Sequence, residues 1–259
     1  MRIGVQTFTV RRAQKKNIRG AYLPLIDLGI KNFEVARIDF NKKNRDKLCE
    51  LIREYGIEIS SIQVKPKYVF GAVADVVEFC HATNCKNVVI SMLPFKCILG
   101  GDKEFYEFCD SLDRFYDIYA EQGITLAYHH HNWEYVALST GRRRMDELLS
   151  RTERIRFVHD TYWTARSGIS PARQIKEFGD RLLGVHLRDL SFGRRGIDVL
   201  PHDTAIGDGV IDFSEVLLAL RGTGCTYAVI EQNTKTPYSE IEKSFRCLEK
   251  IKSEIITEE

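Results

Sequence analysis

No run of about 18 apolar residues occurs anywhere in this 259-residue sequence, which argues against a transmembrane helix. There is no phosphate-binding loop, no nucleophile elbow and no dinucleotide fingerprint. Phosphate-loop nucleotide hydrolysis, α/β-hydrolase chemistry and nicotinamide chemistry therefore lack their usual local devices. An excess of one charge is also missing: 38 Lys and Arg against 36 Asp and Glu leave a net charge of +2. That balance gives no basic stripe for nucleic acid or an anionic membrane. The exception, Arg142-Arg143-Arg144, reads as a solvated helix start. The seven cysteines contain no C-x-x-C pair, which weighs against a closed structural zinc site. The opening Met1-Arg2-Ile3-Gly4-Val5-Gln6 reads directly as a strand rather than an export signal. Together these features predict reduced, packed thiols and a cytoplasmic globular protein.

What the chain does have is alternation. Short β-branched runs are each followed by a longer amphipathic stretch. The strands expected are Ile3–Phe8, Asn32–Ala36, Ile57–Val64, Asn87–Ser91, Ile124–His130, Ile155–Asp160, Leu182–Leu187 and Tyr227–Glu231. The helices between them include Asn17–Leu28, Lys43–Tyr55, Ala72–Thr83, one ending at Glu121, Met145–Arg151, Ala172–Phe178 and Phe213–Arg221, with Tyr238–Lys252 closing the series. Gly29 and Gly56 stop the first two. Eight β-then-α units of about 30 residues, with no linker between them, predict an α/β fold. Specifically, they predict a single (β/α)8 TIM barrel over residues 1–259, with a doubly wound open sheet as the rival.

In such a barrel, residues at the carboxyl ends of the strands line the active-site mouth. The fifth strand ends in His129-His130-His131-Asn132-Trp133-Glu134, the sixth in His159-Asp160, the seventh reaches His186 and the eighth ends in Glu231. Each residue alone has an ordinary reading. Asp160 is a natural helix cap, His186 a satisfied core imidazole, Glu231 loop polarity, and the histidine run is only half inward-facing. Coincidence on four consecutive strands favours a shared divalent cation, because isolated buried charges are costly. Three carboxylates and one imidazole would make an oxygen-rich site suited first to Mn2+, with Mg2+, Co2+ and Zn2+ as alternatives. Weaker candidates are Glu34, which a nearby lysine or arginine would satisfy, and Lys65, which would steer an anionic or polyhydroxylated substrate. Phe8 and Trp163 offer faces for a sugar ring. The long loop after the seventh strand holds Gly193, Gly196, Gly207 and Gly209, and within it Gly207-Asp208-Gly209 reads as a flexible lid.

These residues carry a family resemblance over nearly the whole length. The sequence resembles the sugar phosphate isomerase/epimerase superfamily, xylose isomerase-like barrels that include inosose dehydratase and endonuclease IV. The matching stretches begin with Ile3-Gly4-Val5-Gln6-Thr7-Phe8-Thr9-Val10-Arg11 and Phe33-Glu34. They continue with Tyr128-His129-His130-His131-Asn132-Trp133-Glu134, Asp160-Thr161-Tyr162-Trp163, His186-Leu187-Arg188-Asp189, Ile206-Gly207-Asp208-Gly209 and Ile230-Glu231-Gln232. The resemblance implies a metal held by Glu134, Asp160, His186 and Glu231, with His129 or His131 replacing Glu134 if that glutamate does not reach. The substrate contacts expected are His129, Trp163, Lys65, Arg188 and Phe8. Arginine at 188, where the family pattern has lysine, keeps the charge and changes its geometry.

The activity implied is a metal-dependent isomerase or epimerase acting on a ketose, keto-inositol or related polyol. Glu231 would abstract a proton beside the carbonyl to give an enediolate that the metal stabilises. Glu134 or His131 would return the proton. Loss of a β-hydroxyl from the same enediolate makes a dehydratase the principal alternative. Endonuclease IV-like repair needs a basic DNA face that this sequence lacks, and a non-catalytic sugar-binding barrel is a further reading. The expected partner is a small sugar or polyol rather than nucleic acid or a membrane, with self-association left open.

Overall fold

The computed structural model describes residues 2–193 and 200–257. Its strands are β1 (Ile3–Gln6), β2 (Asn32–Val35), β3 (Glu58–Val64), β4 (Asn87–Ile90), β5 (Thr125–His129), β6 (Arg156–Asp160), β7 (Leu182–Leu187), β8 (Asp189–Ser191), β9 (His202–Thr204) and β10 (Tyr227–Ile230). Eight of them close into a barrel in the order β1-β10-β7-β6-β5-β4-β3-β2, and β8-β9 form a separate two-stranded sheet. All barrel pairings are parallel. Because β1 pairs with both β2 and β10, the sheet has no free edge and the open-sheet alternative is excluded. Parallel strands covered on both faces must be apolar throughout, and runs such as Ile3-Gly4-Val5 and Tyr227-Ala228-Val229-Ile230 are wholly buried.

Local chemistry sets the helix ends. Asn17, Asn41, Ser170 and Asp212 each accept a backbone N–H at the start of the following helix, and Gly56 ends Lys42–Tyr55 in the left-handed region at φ 62°. The sequence-based reading missed the short helices Arg11–Lys16, Pro66–Gly71, Phe95–Leu99 and Thr161–Arg166, which lie in loops beyond strand ends. It also missed the β8–β9 hairpin. Short elements carry too few residues to show a period. Among the described residues no helix is long and apolar enough to cross a membrane.

Two layers fill the barrel lumen. The lower one is apolar: Val89, Ala127, Val158, Leu183, Tyr227 and Val229 pack as a single cluster. Gly184 is required there, since a Cβ on it would lie 2.3 Å from the Tyr227 ring. Two residues further along three of those strands come His129, Asp160 and Glu231, which by alternation point the same way. The polar layer thus sits directly above the apolar plug.

The expected lid is corrected in part. Gly207 and Gly209 donate their N–H groups to Asp189 Oδ2, both at 3.0 Å, and Ile211 N–H reaches Asp189 Oδ1 at 3.2 Å. A carboxylate holding three loop amides makes this turn a fixture rather than a flap. Gly196, elsewhere in the same loop, lies outside the described residues.

Candidate metal centre

β5, β6, β7 and the residue after β10 deliver four side chains to one point. His129, Asp160, His186 and Glu231 each offer a donor atom, and these atoms all lie within 4.8 Å of one another. His129 Nε2 is 3.5 Å from Asp160 Oδ2, and His186 Nδ1 is 3.8 Å from Asp160 Oδ2 and 2.9 Å from Glu231 Oε2. Despite that proximity, His129 Nε2, His186 Nδ1 and Glu231 Oε2 have no well-aligned hydrogen-bond partner and are buried. Buried polar atoms are seldom left unpaired, so three that converge fit a bound cation at bond lengths of about 2.0–2.2 Å. The donor chemistry agrees, being two imidazole nitrogens and two carboxylates.

The surroundings orient these donors. His186 Nε2 meets Glu34 Oε1 at 2.6 Å, which turns Nδ1 toward the centre. Glu34 Oε2 in turn accepts from the Ser61 and Tyr227 hydroxyls. Glu34 is therefore satisfied by a histidine and two hydroxyls, not by the lysine or arginine expected from sequence. Asp160 caps a helix, as one of its two readings anticipated: Oδ1 accepts Trp163 N–H at 2.9 Å to start the helix Thr161–Arg166, while Oδ2 faces the donor cluster. Its backbone N–H donates to His130 Nε2 at 3.1 Å. That ring lies outside the lumen against His159 and Phe178, so the middle histidine of the run is a support and not a ligand.

Arg188 spans the carboxylates. Nη1 donates to Asp160 Oδ2 at 3.1 Å and Glu231 Oε1 at 3.3 Å, while Nε and Nη2 grip Asp203 at 3.1 and 2.8 Å. Expected as a substrate contact, Arg188 is only 4% exposed and committed to three carboxylates, although it borders the cavity described below. Asp203, which sequence reasoning missed, arrives on the β8–β9 hairpin.

Without an ion, these charges compensate one another. Burial alone would lower the His186 imidazole, but Glu34 and Glu231 outweigh it and push the group up to about 10. Burial would raise the Asp160 and Glu231 carboxyls, yet Arg188 and the neighbouring imidazoles hold both below the usual range. An imidazolium therefore stands among the carboxylates where a metal would otherwise supply positive charge.

Glu134 does not join the four. Its carboxylate accepts from the Tyr128 hydroxyl and the His131 N–H, it is fully buried, and burial raises its pKa. The fifth-strand position is filled instead by His129, so the donor set is richer in nitrogen than three carboxylates and one imidazole. The difference follows from register: His129 is the last inward residue of β5, whereas Glu134 sits in the single 3-10 turn Trp133–Tyr135 beyond it.

Above the cluster lies a cavity of about 350 Å³. His129, His131, Trp163, Arg188 and Glu231 border it, as do Phe8 and Lys65. His131 packs between Trp133 and Trp163, and its Nδ1 and the Trp163 Nε1 both lack partners. Burial holds the His131 imidazole well below its ordinary value, so it is neutral.

Comparison with known proteins agrees with this fold. Part of the chain, 144 residues, is 28% identical to inosose dehydratase from Geobacillus thermodenitrificans, covering 48% of this chain and 45% of that protein. The chain thus spans about half the length of the curated relatives it matches. A sugar phosphate isomerase/epimerase from Parabacteroides distasonis superposes with a TM-score of 0.76 at 15% identity, over 93% of this chain and 91% of the other. The IOLI protein, solved with a bound zinc atom, superposes with a TM-score of 0.69 at 16% identity, over 100% of this chain and 99% of the other. At such identities these structures speak for the fold. A family model described as a xylose isomerase-like TIM barrel matches residues 25–251, and the chain belongs to that family.

Proposed function

We propose that this chain is a metal-dependent enzyme that moves a proton on the carbon beside the carbonyl of a ketose, keto-inositol or related polyol. The observation that carries the reading is the convergence beneath a polar cavity of the buried His129 Nε2, His186 Nδ1 and Glu231 Oε2, none of which makes a well-aligned hydrogen bond. With Asp160 they would hold the cation. Two nitrogens and two carboxylates suit Zn2+ and Co2+ at least as well as Mn2+, while Mg2+ favours oxygen donors. When bound, the ion supplies a Lewis acid that polarises the substrate oxygens and acidifies the neighbouring C–H.

The remaining work belongs to side chains. Glu231, ionised beside Arg188, accepts the carbon-bound proton. His131, neutral and with a free Nδ1, holds or returns a proton from another side of the cavity; Glu134, tied to Tyr128, is withdrawn from that role. Trp163 Nε1 donates to a substrate hydroxyl, and Phe8 and the Trp163 ring flank the carbon skeleton. Return of the proton to the adjacent carbon gives isomerisation, and return to the opposite face gives epimerisation. A second reading, favoured by the similarity to inosose dehydratase, is loss of a β-hydroxyl from the same enediolate.

Elemental analysis of the purified chain, followed by incubation in D2O with ketoses and keto-inositols, tests both. One ion per chain with deuterium entering beside the carbonyl is expected. Product lighter by one water would select the dehydratase. A chain that takes up no ion after reconstitution with Zn2+, Co2+ and Mn2+ would sink the reading and favour a binding barrel.

A further inference from the structure

Across the cavity from Asp160 and His186 stand two cations that form no ion pair among the described residues. In the closed ring β2 lies opposite β6 and β3 opposite β7. Arg37 follows β2 and Lys65 follows β3, and both are exposed and border the cavity. Several arginines elsewhere are paired with a carboxylate: Arg45 with Glu78, Arg143 with Asp146, Arg154 with Asp117, Arg246 with Glu242. Among the described residues neither Arg37 nor Lys65 forms an ion pair. Asp39 borders the same cavity without pairing to either.

Two further observations bear on Arg37. Its guanidinium and that of Arg11 both lie over the Phe8 ring, 5.4 and 3.9 Å from its centre. Burial first, and then Arg12 and Arg37, lower the Arg11 pKa, so the like charges repel. Arg37 also has φ 56°, the left-handed region where a side chain is disfavoured and glycine is free. The fold thus keeps a side chain at a backbone position that resists one, and aims it with like-charged neighbours at a cavity. Strain of that kind gathers where a ligand is gripped.

We propose that Arg37 and Lys65 form an oxyanion subsite, so that the substrate is an acidic sugar derivative whose carboxylate or phosphate lies away from the reacting carbonyl. This rests on the cavity being the substrate site argued above. Arg37 offers a planar fork suited to two oxygens and Lys65 a point charge beside it. The metal cluster and this pair then hold the two ends of one molecule.

The test is calorimetric titration of the metal-loaded full chain with two matched pairs of probes, D-glucose against D-glucuronate and D-fructose against D-fructose 6-phosphate. At least one charged member should bind about tenfold or more tightly than its neutral partner, with affinity falling as salt rises. The pair showing the preference distinguishes carboxylate from phosphate. Arg37→Gly and Lys65→Met should each weaken the charged probe and leave the neutral one unchanged. Arg37→Gly should also leave the melting temperature unchanged or raised, which separates lost recognition from lost folding. Equal binding within both pairs, no binding by any probe, or a preference that survives in the double variant overturns the subsite. Metal content measured on the same samples keeps the outcomes apart: loss of the ion counts against the proposed reaction, and loss of the charge preference counts against the subsite.

Discussion

Asp160 illustrates how one side chain can serve two ends. Its Oδ1 caps a helix and its Oδ2 faces the donor cluster, so Asp160→Asn keeps a capping acceptor while removing the charge. The variant should fold with near-normal circular dichroism and lose its ion on dialysis; retention of full metal would show that Asp160 is a cap alone. Glu34→Gln acts one step out, loosening the orientation of His186, and should weaken metal affinity by about 10–100-fold in a competition titration. The histidines also set a pH dependence for the metal-free chain. His186 has a folded value of about 10 against about 6.5 unfolded, so its stabilisation is complete below pH 6.5 and is lost as the pH climbs toward 10. His130, lowered by burial to about 3, acts oppositely, costing stability as the pH falls from 6.5 toward 3. Melting temperature without metal should therefore peak near pH 6.5, and metal uptake above that pH should release a proton from His186. A flat alkaline limb in a calorimetric pH series would contradict the imidazolium.

At the level of elements, the extra hairpin and the turn after it decide how firmly the site is held. β9 brings Asp203 to Arg188, and Asp189, at the start of β8, takes the N–H groups of Gly207, Gly209 and Ile211. Asp189→Ala leaves those amides without their acceptor and should cost about 2–4 kcal/mol in denaturant unfolding, with faster amide exchange at all three. Neither contact could be read from the sequence, because both join residues about 15 to 22 apart across a segment with no periodicity of its own. The barrel was legible for the opposite reason: each strand is short, β-branched and followed by a helix with its own start and stop chemistry. The proposed ligands Asp160, His186 and Glu231 were singled out because charged or imidazole groups ended otherwise apolar strands. Glu134 misled because carboxylate chemistry was weighed above register. Ala127 and His129 lie on the same side of β5, and counting by two from the apolar plug selects His129.

For the molecule as a whole, lumen packing and site geometry are one problem. The Tyr227 ring passes over Gly184 and its hydroxyl reaches Glu34, which orients His186. Gly184→Ala would force that ring aside, and we expect a loss of about 1–3 kcal/mol together with weaker metal binding, although the residue touches no ligand. Unchanged affinity in a destabilised variant would show that the two layers are mechanically independent. The closed ring itself has a further consequence. The four donors come from β5 onward, whereas Phe8, Arg37 and Lys65 follow the first three strands, and the earlier residues Glu34 and Ser91 bond to the donors His186 and His129. On the proposed reading, chemistry and choice of substrate fall in different halves of the chain, so substitutions in the early loops would retune what the barrel accepts while the later half preserves what it does.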